Sequence, residues 1–129
     1  MKIFLDDQMN EPEMPNRQVP GGYVGARNFK EFKQIFEEAL ARGETIEALD
    51  FDNDLGEGEI EGWEIAKWLT ENHPEIFENI VQLSVHSENR GGGRERIEHY
   101  FEMGRNYWRE LKEAKEMPYP LGRLERINR

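Results

Sequence analysis

The chain has 129 residues, 36% of them hydrophobic and 34% charged, and a formal net charge of −10. This is enough for one folded domain and too apolar for a disordered chain. With no cysteine, disulfides and thiolate metal sites are excluded. The negative charge opposes non-specific binding to duplex DNA, and no apolar run approaches the ~20 residues of a bilayer span. A single cytoplasmic domain is therefore expected, with neither duplex DNA nor a membrane as partner; no oligomeric state is read from the pattern. The charge is unevenly placed, since residues 1–89 carry 7 Lys+Arg against 20 Asp+Glu, whereas residues 90–129 carry 10 against 7.

The first element is a short buried strand at Ile3–Leu5, and its run "KIFLDD" ends on two adjacent acids, Asp6 and Asp7. Gln8 to Gly22 contain three Pro and two Gly, which cannot continue a helix and predict a long loop. "YVGA" (Tyr23–Ala26) is a second strand. Asn28 is placed to cap a helix, with Glu31 at the capping-box position; Phe29, Phe32, Ile35, Phe36, Ala39 and Leu40 follow at helical spacing, and Gly43 stops them.

A third strand is predicted over Thr45–Asp52, with Asp54 two residues beyond its end. Asp50, beside Phe51 in mid-strand, is read as capping or pairing locally. A Gly- and acid-rich loop leads to a helix at Gly62–Asn72, closed near Pro74. The fourth strand is Ile80–Ser87, ending on His86 and Ser87, with Asn89 and three glycines after it. Arg94–Gly104 is a further helix, and "NYWRELKEAKE" continues it after a break at Gly104, before an irregular tail.

Short strands alternating with amphipathic helices predict an α/β fold with a parallel sheet covered on both faces, whose ligands bind beyond the carboxyl ends of the strands. Three of those ends carry polar groups. Asp6, Asp7, Asp52 and Asp54 would repel one another unless a cation lies among them, and hard oxygen donors suit Mg²⁺ or Mn²⁺. His86, Ser87 and the glycine-rich backbone before Arg94 could hold an anion beside that cation. Taken singly, each acid has an alternative as a turn residue, and the histidine as a structural one.

"FLDD", "DFDNDLG" with Gly62 beyond it, and the polar group after strand four resemble the receiver domain of two-component response regulators. In that family an acidic pair and a strand-three aspartate bind magnesium, and the aspartate, here Asp52, accepts a phosphoryl group. Two features depart from it: a Pro-rich loop replaces the first helix, and no fifth strand with its lysine is legible. The ordered set "FLDD", Arg27, "LDFDNDLG", "EGWEIAKWL" and "VHSEN…GGGR" is closer to the cyclic-phosphate processing receiver domains, over Lys2 to about Phe101. The histidine of that family's "LDHDLG" pattern has no counterpart here.

The resemblance implies a receiver-like, flavodoxin-like three-layer sandwich with about four strands, forming one domain over residues 1–129 with residues 104–129 as an extension. It implies binding or hydrolysis of a phosphate ester, including a cyclic phosphate on a nucleotide or RNA end. In that reading Asp6, Asp7, Asp52 and Asp54 hold Mg²⁺ or Mn²⁺, and Asp52 and His86 are catalytic. His86 acts as general acid or base from an ordinary pKa near ~6.5. Arg27, Ser87, Asn89 and Arg94 bind the phosphate. The alternative is a phospho-accepting or degenerate receiver that serves as a signalling or interaction module.

Overall fold

The computed structural model describes residues 1–86 and 92–116. Strands β1 (Lys2–Leu5), β2 (Tyr23–Ala26), β3 (Ala48–Phe51) and β4 (Gln82–Val85) form one parallel sheet in the order β2-β1-β3-β4. The connections carry helices α1 (Phe29–Ala41), α2 (Gly62–Asn72) and α3 (Gly93–Glu116), with 3₁₀ turns at Pro15–Arg17 and Pro74–Glu78. This is the α/β receiver-like fold, with no fifth strand among the described residues. No helix among them is long and apolar enough to cross a membrane.

Alternation along the strands divides the sheet into two unlike faces. Ile3, Leu5, Leu49 and Phe51 join Phe32 and Phe36 of α1, Ile65 and Leu69 of α2, and Ile97 and Phe101 of α3 in one buried core. Phe51 sits between helices, its ring 5.4 Å from Phe32 and 5.2 Å from Phe101. Burying each such aromatic side chain is worth about 2–3 kcal/mol, which makes this face the main source of stability.

The opposite face carries Phe4, Ala48, Asp50 and Ser84, placed by the registers Phe4↔Asp50 and Asp50↔Ser84. Phe4 and Ala48 are buried yet stand apart from the helical core. Here the β1–β2 loop supplies the cover that the missing first helix would have given. A side chain at Gly25 would strike Met9 and Val19 of that loop, so the loop lies directly on the strand.

Several local expectations change. β3 and β4 are four residues each rather than eight, because regular pairing extends only as far as β1 and its neighbours run together. α3 passes through Gly104 without a break. A side chain there would strike the Phe77 ring, so this glycine permits close packing of α3 on the Pro74–Glu78 turn. Asn28 does cap α1, its Oδ1 accepting from the Glu31 N–H at 2.9 Å. The Glu31 carboxylate, however, accepts from the Arg27 N–H at 3.0 Å instead of closing a capping box on Asn28.

Candidate functional site

The sheet's strand order reverses direction between β1 and β3, so the crevice at their carboxyl ends is the topological switch point. The ladder runs one step past the strands on both sides of it. The Asp52 N–H donates to Leu5 O at 2.9 Å and the His86 N–H to Phe51 O at 3.1 Å, while the Asp6 N–H donates to Ala26 O at 2.9 Å. Asp6, Asp52 and His86 thus follow directly from strand register. Each has the same parity as Phe4, Asp50 and Ser84, so the polar groups continue the loop-covered face.

Asp6 is fully buried and accepts at both oxygens. Its Oδ1 takes hydrogen bonds from the Gln8 N–H at 2.8 Å and Arg17 Nη1 at 2.9 Å, and its Oδ2 lies 2.9 Å from His86 Nε2. Asp52, also buried, receives the same Arg17 Nη1 at 2.7 Å on Oδ2 and the Asn53 N–H at 2.8 Å on Oδ1. One guanidinium nitrogen therefore bridges two carboxylates from neighbouring strands. The other ring nitrogen of His86, Nδ1, is 2.7 Å from Asp50 Oδ1, and Phe4 stacks flat on the ring with centroids 4.4 Å apart.

With a carboxylate at each nitrogen, the imidazole is held doubly protonated. Burial opposes that charge, but the hydrogen bonds to Asp50 and Asp6 outweigh it and push the His86 pKa up to about 9. The expectation of an ordinary histidine is corrected: at neutral pH this ring is an imidazolium, able to give a proton rather than take one. Burial would also raise Asp6, yet hydrogen bonds from His86 and Gln8, with the Arg17 charge, hold it below the usual carboxylate range. At Asp52, burial and then the Asp6 charge outweigh the Arg17 hydrogen bond and the charges of Arg17 and His86, so its pKa is raised. Asp7 is raised as well, by burial and then by the neighbouring charges of Asp52, Asp6 and Asp54.

The remaining expected residues divide by position. The Asp7 carboxylate borders the cluster, near Gly56, and makes no hydrogen bond among the described residues. Asp54 is turned to local work, its Oδ1 accepting from the Gly56 N–H at 3.0 Å. Arg27 donates from Nη1 to Asp7 O at 3.0 Å, beside the crevice. Arg94 pairs with Glu98 at 3.1 Å and lines a groove between β4 and α3 with Arg105 and Arg109. Ser87 and Asn89 lie outside the described residues.

Asp50 and Arg17 belong to the site and were not expected there. Asp50 is not a local cap, because its partner is 36 residues away. Its two-residue spacing from Asp52 was the available signal, since that spacing puts both on one face of the strand. Arg17 had no comparable signal. It comes from the Pro-rich loop and reaches Asp52 across 35 residues.

As a test for a divalent cation, the donor chemistry fits. One ligand atom from each of Asp6, Asp52 and His86 lies within 4.8 Å of the others, and the two carboxylates are buried with a positive group already between them. The carboxylates suit a hard ion; His86 could ligate only after losing a proton.

The model of the cyclic-phosphate processing receiver domain family matches residues 1–103. The chain belongs to that family. No curated protein and no solved structure matches it. The matched span of this receiver domain contains every described residue of the crevice and extends past Phe101 of the buried core. Two glycines of the pattern acquire structural reasons. A side chain at Gly62 would run into the backbone of Asp52, and one at Gly93 into the Asn53 side chain. Asn53 meanwhile accepts from the Gly62 N–H at 2.7 Å and the Trp63 N–H at 3.1 Å, fixing α2 behind the end of β3.

Proposed function

We propose that this receiver domain binds and hydrolyses a phosphate ester, with a 2′,3′-cyclic phosphate on a nucleotide or RNA end as the preferred class. The family match supports the substrate class. The observation that carries the chemistry is the cluster itself: two buried carboxylates, Asp6 and Asp52, share one cation beside the protonated His86. Asp6 and Asp52 would hold a divalent ion, Mg²⁺ or Mn²⁺. When bound, that ion supplies charge neutralisation for a phosphoryl oxygen.

The chain's own residues account for the proton movements. Ring opening adds a water oxygen to phosphorus and breaks one P–O bond. The water proton passes to Asp7, whose carboxylate makes no hydrogen bond among the described residues. The departing ribose oxygen takes a proton from Nε2 of the His86 imidazolium, replacing Asp6 Oδ2 as its partner, while Asp50 at Nδ1 and Phe4 on the ring face hold the imidazole in place. Arg27, at the rim, binds a non-bridging phosphate oxygen.

Incubation of the wild-type chain with Mg²⁺ or Mn²⁺ and a 2′,3′-cyclic nucleotide should yield the monophosphate. Asp52→Asn should lower the rate by about 100-fold or more, the usual scale for losing a group that positions charge at the reacting centre. A wild-type protein inert toward cyclic and terminal phosphates alike would overturn the reading.

A further inference from the structure

Arg17 stands where a cation between Asp6 and Asp52 would stand. Its Nη1 is 2.9 Å from one carboxylate and 2.7 Å from the other, and a guanidinium keeps its charge at every accessible pH. A divalent ion bound to both carboxylates at about 2.1 Å would lie against that nitrogen, with two positive groups in contact and no anion between them. The two occupants exclude each other.

The carrier of Arg17 is built to leave. Asp6 and Asp52 extend directly from central strands, whereas Arg17 ends a three-residue 3₁₀ turn, Pro15–Arg17, none of whose residues is buried. That turn is held mainly by its own loop: the Arg17 N–H donates to Met14 O at 3.0 Å, the Asn10 N–H to Arg17 O at 2.8 Å, and Gln18 Nε2 to Glu11 O at 2.8 Å. Within the described residues, the turn itself reaches the sheet end only through the guanidinium. The Pro15–Arg17 turn can therefore move outward without breaking a strand, while the packing of Met9 and Val19 on Gly25 stays in place.

We propose that Arg17 is the resting occupant of the cation site, and that a divalent ion binds by displacing it together with the Pro15–Arg17 turn. This rests on the reading of Asp6 and Asp52 as cation ligands. Arg17 is thus a positioning residue that lowers the affinity of the empty crevice and couples cation binding to outward movement of the Pro15–Arg17 turn. It also keeps two adjacent buried carboxylates neutralised in the absence of metal.

Mn²⁺ titrated by calorimetry into wild type, Arg17→Ala and Arg17→Gln tests the competition. Both variants should bind Mn²⁺ about tenfold or more tightly than wild type, a typical coupling between mutually exclusive occupants. Trypsin provides a second readout on the unaltered chain, because Arg17–Gln18 is a cleavable bond whose side chain is held in the crevice. Mn²⁺ should speed that cut while leaving the cut after the exposed Lys33 unchanged. Variants that bind Mn²⁺ no better than wild type, or saturating Mn²⁺ that leaves Arg17–Gln18 protected, would overturn the displacement alone. Absence of Mn²⁺ binding in all three proteins would overturn it together with the metal part of the proposed function.

Discussion

His86 has a carboxylate at each ring nitrogen and an aromatic face against the ring, and its charge is part of what holds the strand ends together. Its pKa of about 9 in the fold exceeds the unfolded value of 6.5. The stabilisation is therefore complete below about pH 6.5 and lost as pH rises through about 9, amounting to roughly 3 kcal/mol. Asp6 acts in the opposite sense: its lowered pKa contributes stability above the unfolded carboxylate value, which is lost on acidification. Urea unfolding between pH 6 and pH 10 should show stability falling on the alkaline side. His86→Gln should flatten that slope, and a wild-type profile without the slope would mean the ring is neutral.

Among the elements, the N-terminus of α2 bears most directly on the crevice. Gly62 packs its backbone against that of Asp52, and its N–H donates to Asn53 O at 2.7 Å. Gly62→Ala would ordinarily favour a helix by up to about 1 kcal/mol, but here the new methyl meets main chain that cannot rotate away. A net loss of about 1–3 kcal/mol in urea unfolding is expected, with weakened Mn²⁺ binding because Asp52 must shift. A variant as stable as wild type would show that α2 can move freely from the strand end. Gly104 illustrates the same limit on local propensity. Its pattern suggests a helix break, yet α3 continues because the absent side chain lets Phe77 approach.

Across the described residues, one buried cluster includes residues from α1, α2 and α3 and from the strands β1, β2 and β3. Trp63 and Trp68 of α2 and Trp108 of α3 pack against it. Helix content by circular dichroism and tryptophan fluorescence should consequently report one coincident unfolding transition. Separate midpoints would divide the chain into more than one folding unit.

Much of this arrangement is present in the chain as written. Period-two alternation and the acids at the end of "KIFLDD" and "TIEALDFD" place Asp6, Asp50 and Asp52 on one face, and "IVQLSVHS" does the same for His86. In a parallel sheet, adjacent strand ends are adjacent in space, so local pattern brought Asp6, Asp52 and His86 together, and the same period sets Asp50 on their face. The cation between them was a matter for tertiary structure alone. Arg17 lies in a loop without periodicity, and only the path of that loop across the sheet sets its guanidinium between carboxylates 11 and 35 residues away. Protonation of His86 was likewise undecided until the fold set Asp6 and Asp50 at its two nitrogens, since a charge state depends on neighbours in space rather than along the chain.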